Sequence, residues 1–95
     1  MNEENDVPLT FRLEQNYPNP FNPATQITYF LPITSHISLK VFDLLGREVA
    51  MLVNEEKHAG SYSVEWNAAN MPSGVYFYRL QTNDFVKTKK LVLIK

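Results

Sequence analysis

Along most of the chain apolar and polar residues alternate with a period of two, the period at which a half-buried strand turns one face to a core and the other to water. Leu9, Phe11 and Leu13 alternate with Thr10 and Arg12, which predicts a first strand over 9–13. A second is predicted over 24–31, where Ile27, Tyr29 and Leu31 alternate with Gln26, Thr28 and Phe30 until Pro32 ends the ladder. Residues 36–42 set Ile37, Leu39 and Val41 against His36, Ser38, Lys40 and Phe42. Asp43-Leu44-Leu45-Gly46 then predicts a tight turn with Gly46 in the left-handed position. The chain returns as a strand over 47–53, where the break in alternation at Met51-Leu52-Val53 predicts a bulge or a strand end. The charged run 54–58 reads as an exposed loop. A fifth strand carries Tyr62, Val64 and Trp66, and a loop over 67–74 leads to a β-prone run over 75–82 that opposes Tyr76, Tyr78 and Leu80 to Val75, Phe77 and Arg79. A turn at Asn83-Asp84 precedes the last strand, 85–94.

Seven short strands with no 3.6-residue apolar period, in 95 residues, predict an all-β fold. The expected form is a seven-stranded antiparallel immunoglobulin-like β-sandwich, with a small barrel as the alternative. Tyr76 stands just inside the strand that follows the long loop, where a corner tyrosine ties such a crossover by its hydroxyl, and Trp66 is the candidate central ring. One domain over 9–95 is expected, after a flexible acidic lead-in over 1–8 that holds Glu3, Glu4 and Asp6 and offers a protease access to the chain.

Between the first two strands lies Tyr17-Pro18-Asn19-Pro20-Phe21-Asn22-Pro23, which packs three of the six prolines into seven residues. Each proline fixes φ and removes an N–H donor, so this segment is a stiff connector without a continuous ladder. Its two rings, Tyr17 and Phe21, are expected to anchor it on the core, because a solvated linker has no use for them.

The net charge of −1 argues against a nucleic-acid partner, and no apolar run approaches the ~20 residues of a spanning helix, so no membrane insertion is expected. Charge is unevenly spread, with Arg79, Lys87, Lys89, Lys90 and Lys95 gathered near the carboxyl end against Asp84 alone. Such lysines either guard an edge strand against aggregation or form a recognition surface. There is no cysteine, hence no disulfide or thiol nucleophile. His36 and His58 are isolated, no serine stands in a Gly-x-Ser-x-Gly elbow, and Glu55-Glu56 are adjacent on one segment rather than opposed across a cleft. The glycines Gly46, Gly60 and Gly74 are too dispersed to cradle a phosphate. The chain is therefore not expected to be an enzyme or to hold a metal or cofactor. Tyr17, Phe30, Phe42 and Phe77 either pack beneath neighbours or form an exposed platform for stacking on sugars.

Five segments in order resemble one family. The connector 17–23, the turn Asp43-Leu44-Leu45-Gly46-Arg47-Glu48-Val49, Ala59-Gly60 followed by Trp66, the run Pro72-Ser73-Gly74-Val75-Tyr76-Phe77-Tyr78-Arg79-Leu80, and Lys89-Lys90-Leu91-Val92-Leu93-Ile94-Lys95 resemble the type A carboxyl-terminal sorting domain of the type IX (Por) secretion system. The immunoglobulin-like module of the flagellar hook-capping protein shares part of the pattern. The resemblance implies a non-catalytic sorting signal that directs a larger upstream cargo across the outer membrane, recognised there by the secretion translocon and commonly removed by a sortase. It implies passage through the periplasm and release to the medium or cell surface. By the same resemblance the recognition positions fall on Pro18, Asn19, Pro20, Phe21, Gly46, Arg47, Gly74, Val75, Tyr76, Lys90, Leu91 and Lys95. An accessory immunoglobulin-like module of a secreted enzyme, binding carbohydrate or protein, is the alternative. The terminal strand's backbone together with Lys87, Lys89, Lys90 and Lys95 is the surface such a receptor is expected to read.

Overall fold

Residues 7–95 are described by a computed structural model, which forms seven strands and no helix. They are β1 (Arg12–Leu13), β2 (Ala24–Leu31), β3 (Ser35–Phe42), β4 (Glu48–Lys57), β5 (Gly60–Asn67), β6 (Gly74–Gln81) and β7 (Val86–Leu93). Two antiparallel sheets, β1-β2-β5 and β4-β3-β6-β7, pack as an immunoglobulin-like sandwich rather than a barrel. The fourth strand pairs with β3 and not with β5, so the division is three on four.

The period-two pattern explains the core directly. Ile27, Tyr29, Leu31 and Trp66 of one sheet face Ile37, Leu39, Val41, Tyr76, Tyr78, Leu80, Leu91 and Leu93 of the other, all buried. Two expected features of this core hold. Trp66 lies against Tyr76 edge-on with ring centroids 5.4 Å apart, and the Tyr76 hydroxyl donates to the Pro72 carbonyl at 2.6 Å, the tie of a tyrosine corner.

Three expectations need correction. The first strand shrinks from 9–13 to Arg12–Leu13, and Leu9 is 94% exposed. Its partner runs out: Arg12 pairs with Phe30, so Thr10 would have to pair with Pro32, which has no N–H to give. In the second case, 54–58 is not a loop through to its end, because β4 continues to Lys57, with Asn54, Glu55 and Glu56 opposite Ser38, Ile37 and His36. Charged side chains there mark exposure, and the backbone still has the whole of β3 to pair with. The irregularity near Met51 is a bulge: Leu39 pairs with Val53 and Lys40 with Met51, which leaves Leu52 as the extra residue. Third, Tyr17 is no anchor, being 79% exposed, whereas Phe21 is 2% exposed. Tyr17 exchanges both backbone bonds with Gln26 at 3.0 and 2.9 Å, and alternation then turns its neighbour Asn16, not Tyr17, inward. Of the acidic lead-in expected over 1–8, residues 1–6 lie outside the described residues.

The connector moves the chain from one sheet to the other. Tyr17 is still bonded to β2, but at Phe21 the backbone runs parallel to β7, donating from Phe21 N–H to the Val92 carbonyl and accepting from Ile94 N–H, each at 3.0 Å. Pro18, Pro20 and Pro23 flank this point with cis peptide bonds and no donors of their own.

Candidate recognition pole

The ends of β2, β3, β5, β6 and β7 that meet the connector form one pole of the sandwich, and a continuous set of contacts holds it together. Phe21 packs on Trp66 with ring centroids 5.7 Å apart, Trp66 on Tyr76, and the Pro23 carbonyl accepts from Ala68 N–H at 2.7 Å. Lys95 closes the ring, its N–H donating to Ser73 Oγ at 3.0 Å and its ammonium to the Ala69 carbonyl.

The β3–β4 turn reaches the same pole. Asp43 organises it by accepting at Oδ1 from the N–H groups of Leu45 and Arg47 at 2.9 and 3.0 Å, and at Oδ2 from Arg47 Nε at 2.7 Å. These donors, the Arg47 N–H foremost, hold the Asp43 carboxyl below its ordinary pKa. Gly46 sits at φ +85°, the left-handed value expected of it, and donates to the Asp43 carbonyl. Between this turn and the 71–76 segment lies a groove of about 550 Å³ that includes Leu44, Leu45, Arg47, Met71, Gly74 and Tyr76. Tyr76 is raised above its ordinary pKa by burial, with the Asp43 charge adding to it.

The start of the connector is pinned by a buried polar group that the sequence reading did not single out. Asn16 N–H donates to the Tyr78 hydroxyl at 2.8 Å, and that hydroxyl donates to the Glu14 carbonyl at 2.7 Å. Asn16 Nδ2 donates to Thr25 Oγ1 at 2.9 Å and to the Pro18 carbonyl at 3.1 Å, and Thr25 donates to that same carbonyl at 2.9 Å. Burial pushes the Tyr78 pKa up to about 12; the Glu14 charge adds to the shift and the Asn16 N–H opposes it. One signal was available: Thr25 continues the inward register of Ile27, Tyr29 and Leu31, and a polar residue at an inward position needs a partner.

Most of the twelve candidate positions gather here. Pro18, Asn19, Pro20 and Phe21 lie along the connector, Gly46 and Arg47 in the turn, and Gly74, Val75 and Tyr76 at the start of β6, with Lys95 between. Leu91 is in the core, and Lys90 stands apart, exposed midway along β7 opposite Phe77. A family model described as a secretion system C-terminal sorting domain matches residues 15–95. The chain belongs to this family. No curated protein shows a significant match. The sorting-domain match begins at Gln15, after β1, and takes in the whole connector and the strands β2 to β7. Its role is that of a sorting signal for cargo of type IX secretion, a non-catalytic one.

The remaining surface bears on what else the sorting domain offers a partner. Phe30, Phe42 and Phe77 are half-buried, with the Arg12 guanidinium 5.2 Å above Phe30 and that of Arg79 4.5 Å above Phe42. Cations thus cover two of the four rings considered for sugar stacking. Among the described residues no group of three His, Cys, Asp or Glu side chains stands close enough to hold a metal ion.

Proposed function

We propose that the folded sandwich, rather than a linear peptide, is the address that an outer-membrane translocon reads on an upstream cargo, and that the domain contributes no catalysis to that cargo. The observation that carries this reading is the dependence of the motif on the fold: the connector and Lys95 are held at one pole by contacts between residues far apart in sequence, and the Asp43–Arg47 turn borders the same pole across the groove from residues 71–76. A chain entering at Val7 lies beside Ala59, Gly60 and Ser61, at the opposite pole. An eight-residue strand separates the poles by about 26 Å, so a cargo hung there leaves the motif pole uncovered. The twelve positions fit a mixed role, in which most shape the pole and Lys90 meets the receptor. Passage through the periplasm precedes this recognition, and a sortase then cuts in the exposed segment ahead of β1, where Leu9 is open to solvent.

The test is a fusion of the full 95-residue chain behind a periplasmic reporter in a bacterium carrying this secretion system, beside the same strain lacking the translocon. Reporter outside the cell in the first strain only is the expected result. Retention of a folded fusion in the periplasm of both would overturn the reading.

A further inference from the structure

The connector's crossing between sheets leaves the outer edge of β7 half covered. At its carboxyl end the edge is occupied: Val92 N–H donates to Asn19 Oδ1, the Val92 carbonyl accepts from Phe21, and Ile94 N–H donates to the Phe21 carbonyl, each at 3.0 Å. The Lys90 carbonyl accepts from Gln15 Nε2 at 2.7 Å. Because Val92 points its backbone groups outward, alternation along the strand does the same for Lys90, Thr88 and Val86. Among the described residues the Lys90 N–H and both backbone groups of Thr88 and Val86 have no partner on that side. The first strand gives its backbone bonds to β2, so it lines the groove beside this stretch without pairing with it.

Side chains around this open stretch are cationic and apolar. Lys87 and Lys89 share the face of Leu91 and Leu93 and border a groove of about 430 Å³ whose floor includes Phe11 and Phe85, with rings stacked 5.2 Å apart. Lys90 lies on the other face. None of these three lysines forms an ion pair among the described residues, and the one carboxylate in the groove, Glu14, is already held by Arg12 at 2.6 Å.

Resting on the sorting reading above, we infer that Val86–Lys90 accepts an extended, carboxylate-bearing segment of the secretion machinery as an added strand. The unpaired ladder supplies backbone bonds at the spacing of a strand, and the groove and lysines select what that strand carries. Carboxylates at every second position meet Lys87 and Lys89. Lysines that repel a second copy of this edge thereby favour an acidic partner, so guarding and recognition are one device. The expected terminal recognition surface is correspondingly reduced: residues 92–94 are covered and the Lys95 ammonium is engaged with Ala69.

Two arms test this on the full chain. In the first, an eight-residue peptide alternating threonine and glutamate is titrated into the domain while amide exchange is followed by NMR. Slowed exchange at Val86, Thr88 and Lys90, about tenfold weaker binding by Lys87→Glu/Lys89→Glu, and no protection in Thr88→Pro, which removes an outward donor, are expected. Chemical shift changes without amide protection, or equal binding of a threonine–lysine peptide, would overturn the inference. In the second arm both variants are placed in the reporter fusion after thermal melts establish that each is folded; the lysine pair, exposed at Lys87 and half-buried at Lys89, serves if the proline variant does not fold. Export about tenfold lower than wild type is expected. Wild-type export by folded variants sinks the added strand and leaves the sorting reading standing, whereas failure of the unaltered fusion to be exported sinks the sorting reading and leaves the peptide arm to judge the edge.

Discussion

The two rings of the connector make opposite predictions. Phe21 is 2% exposed against Trp66, and Phe21→Ala removes a buried ring for which replacement by alanine costs about 3–5 kcal/mol. The same ring holds in place the backbone that bonds Val92 and Ile94, so the cost includes part of those bonds, about 1 kcal/mol each. Against a total stability of roughly 5–15 kcal/mol this is a large fraction, and for a domain near 95 residues it corresponds to a fall in Tm of more than about 12 °C. Tyr17→Ala, at a position 79% exposed, changes stability by less than about 0.5 kcal/mol. Urea denaturation and thermal melts of both variants measure the difference. Amide exchange in Phe21→Ala is expected to quicken first at Val92 and Ile94, ahead of the core strands. A Phe21→Ala cost below about 1 kcal/mol, or equal costs for the two variants, would refute the view that Phe21, and not Tyr17, is the ring that clamps the connector.

Other expectations follow from single sites. Tyr78→Phe leaves the Asn16 N–H without its acceptor in a residue 2% exposed, and is expected to cost about 1–3 kcal/mol in urea denaturation. At Gly46, φ is +85° and an added Cβ meets nothing within 4 Å, so Gly46→Ala costs about 1–2 kcal/mol through the backbone alone; a neutral result in melts would contradict it. Tyr29 and Tyr78 are both raised from 10.0 to about 12, so the folded state holds their protons more tightly than the unfolded state does. Their contribution is complete below pH 10 and is lost as pH rises to about 12; Tyr78→Phe is expected to flatten the decline in stability across that window. Asp43 is lowered below 3.8, so its contribution is present above that value and lost as pH falls beneath it, a loss that Asp43→Asn removes from acid titrations of stability.

Much of the fold was legible because nearly every strand has one buried face. Ile37, Leu39 and Val41, or Tyr76, Tyr78 and Leu80, leave no choice of register once one side must be dry. What alternation cannot reveal is where pairing stops, since that depends on the neighbour. The first strand ended early because β2 ends at Leu31, and β4 ran on because β3 is long enough to receive it. The role of Asn16 was hidden for a related reason. Its partners Thr25 and Tyr78 are 9 and 62 residues away, and no local pattern joins them.

The twelve positions taken from the family resemblance divide by what their side chains already do. Phe21, Tyr76 and Leu91 are buried, Asn19 caps the edge of β7, Arg47 holds Asp43, Gly46 provides a left-handed turn, and Lys95 closes the pole on Ala69. A side chain engaged inside the domain is a poor contact for a receptor, because reading it would first require breaking an internal bond. On this reading the twelve positions act mainly by making the pole and the connector fold in one way, more than as a set of receptor contacts. What the fold then leaves open, an unpaired stretch of β7 flanked by Lys87, Lys89 and Lys90, is where recognition has free groups to use. Only Lys90 belongs to both sets. Substitutions within the motif are thus expected to lower export in proportion to lost stability, while Lys87→Glu/Lys89→Glu, outside the twelve positions, lowers export at unchanged Tm. A linear relation between export and stability that included the lysine variant would show that the system reads foldedness alone.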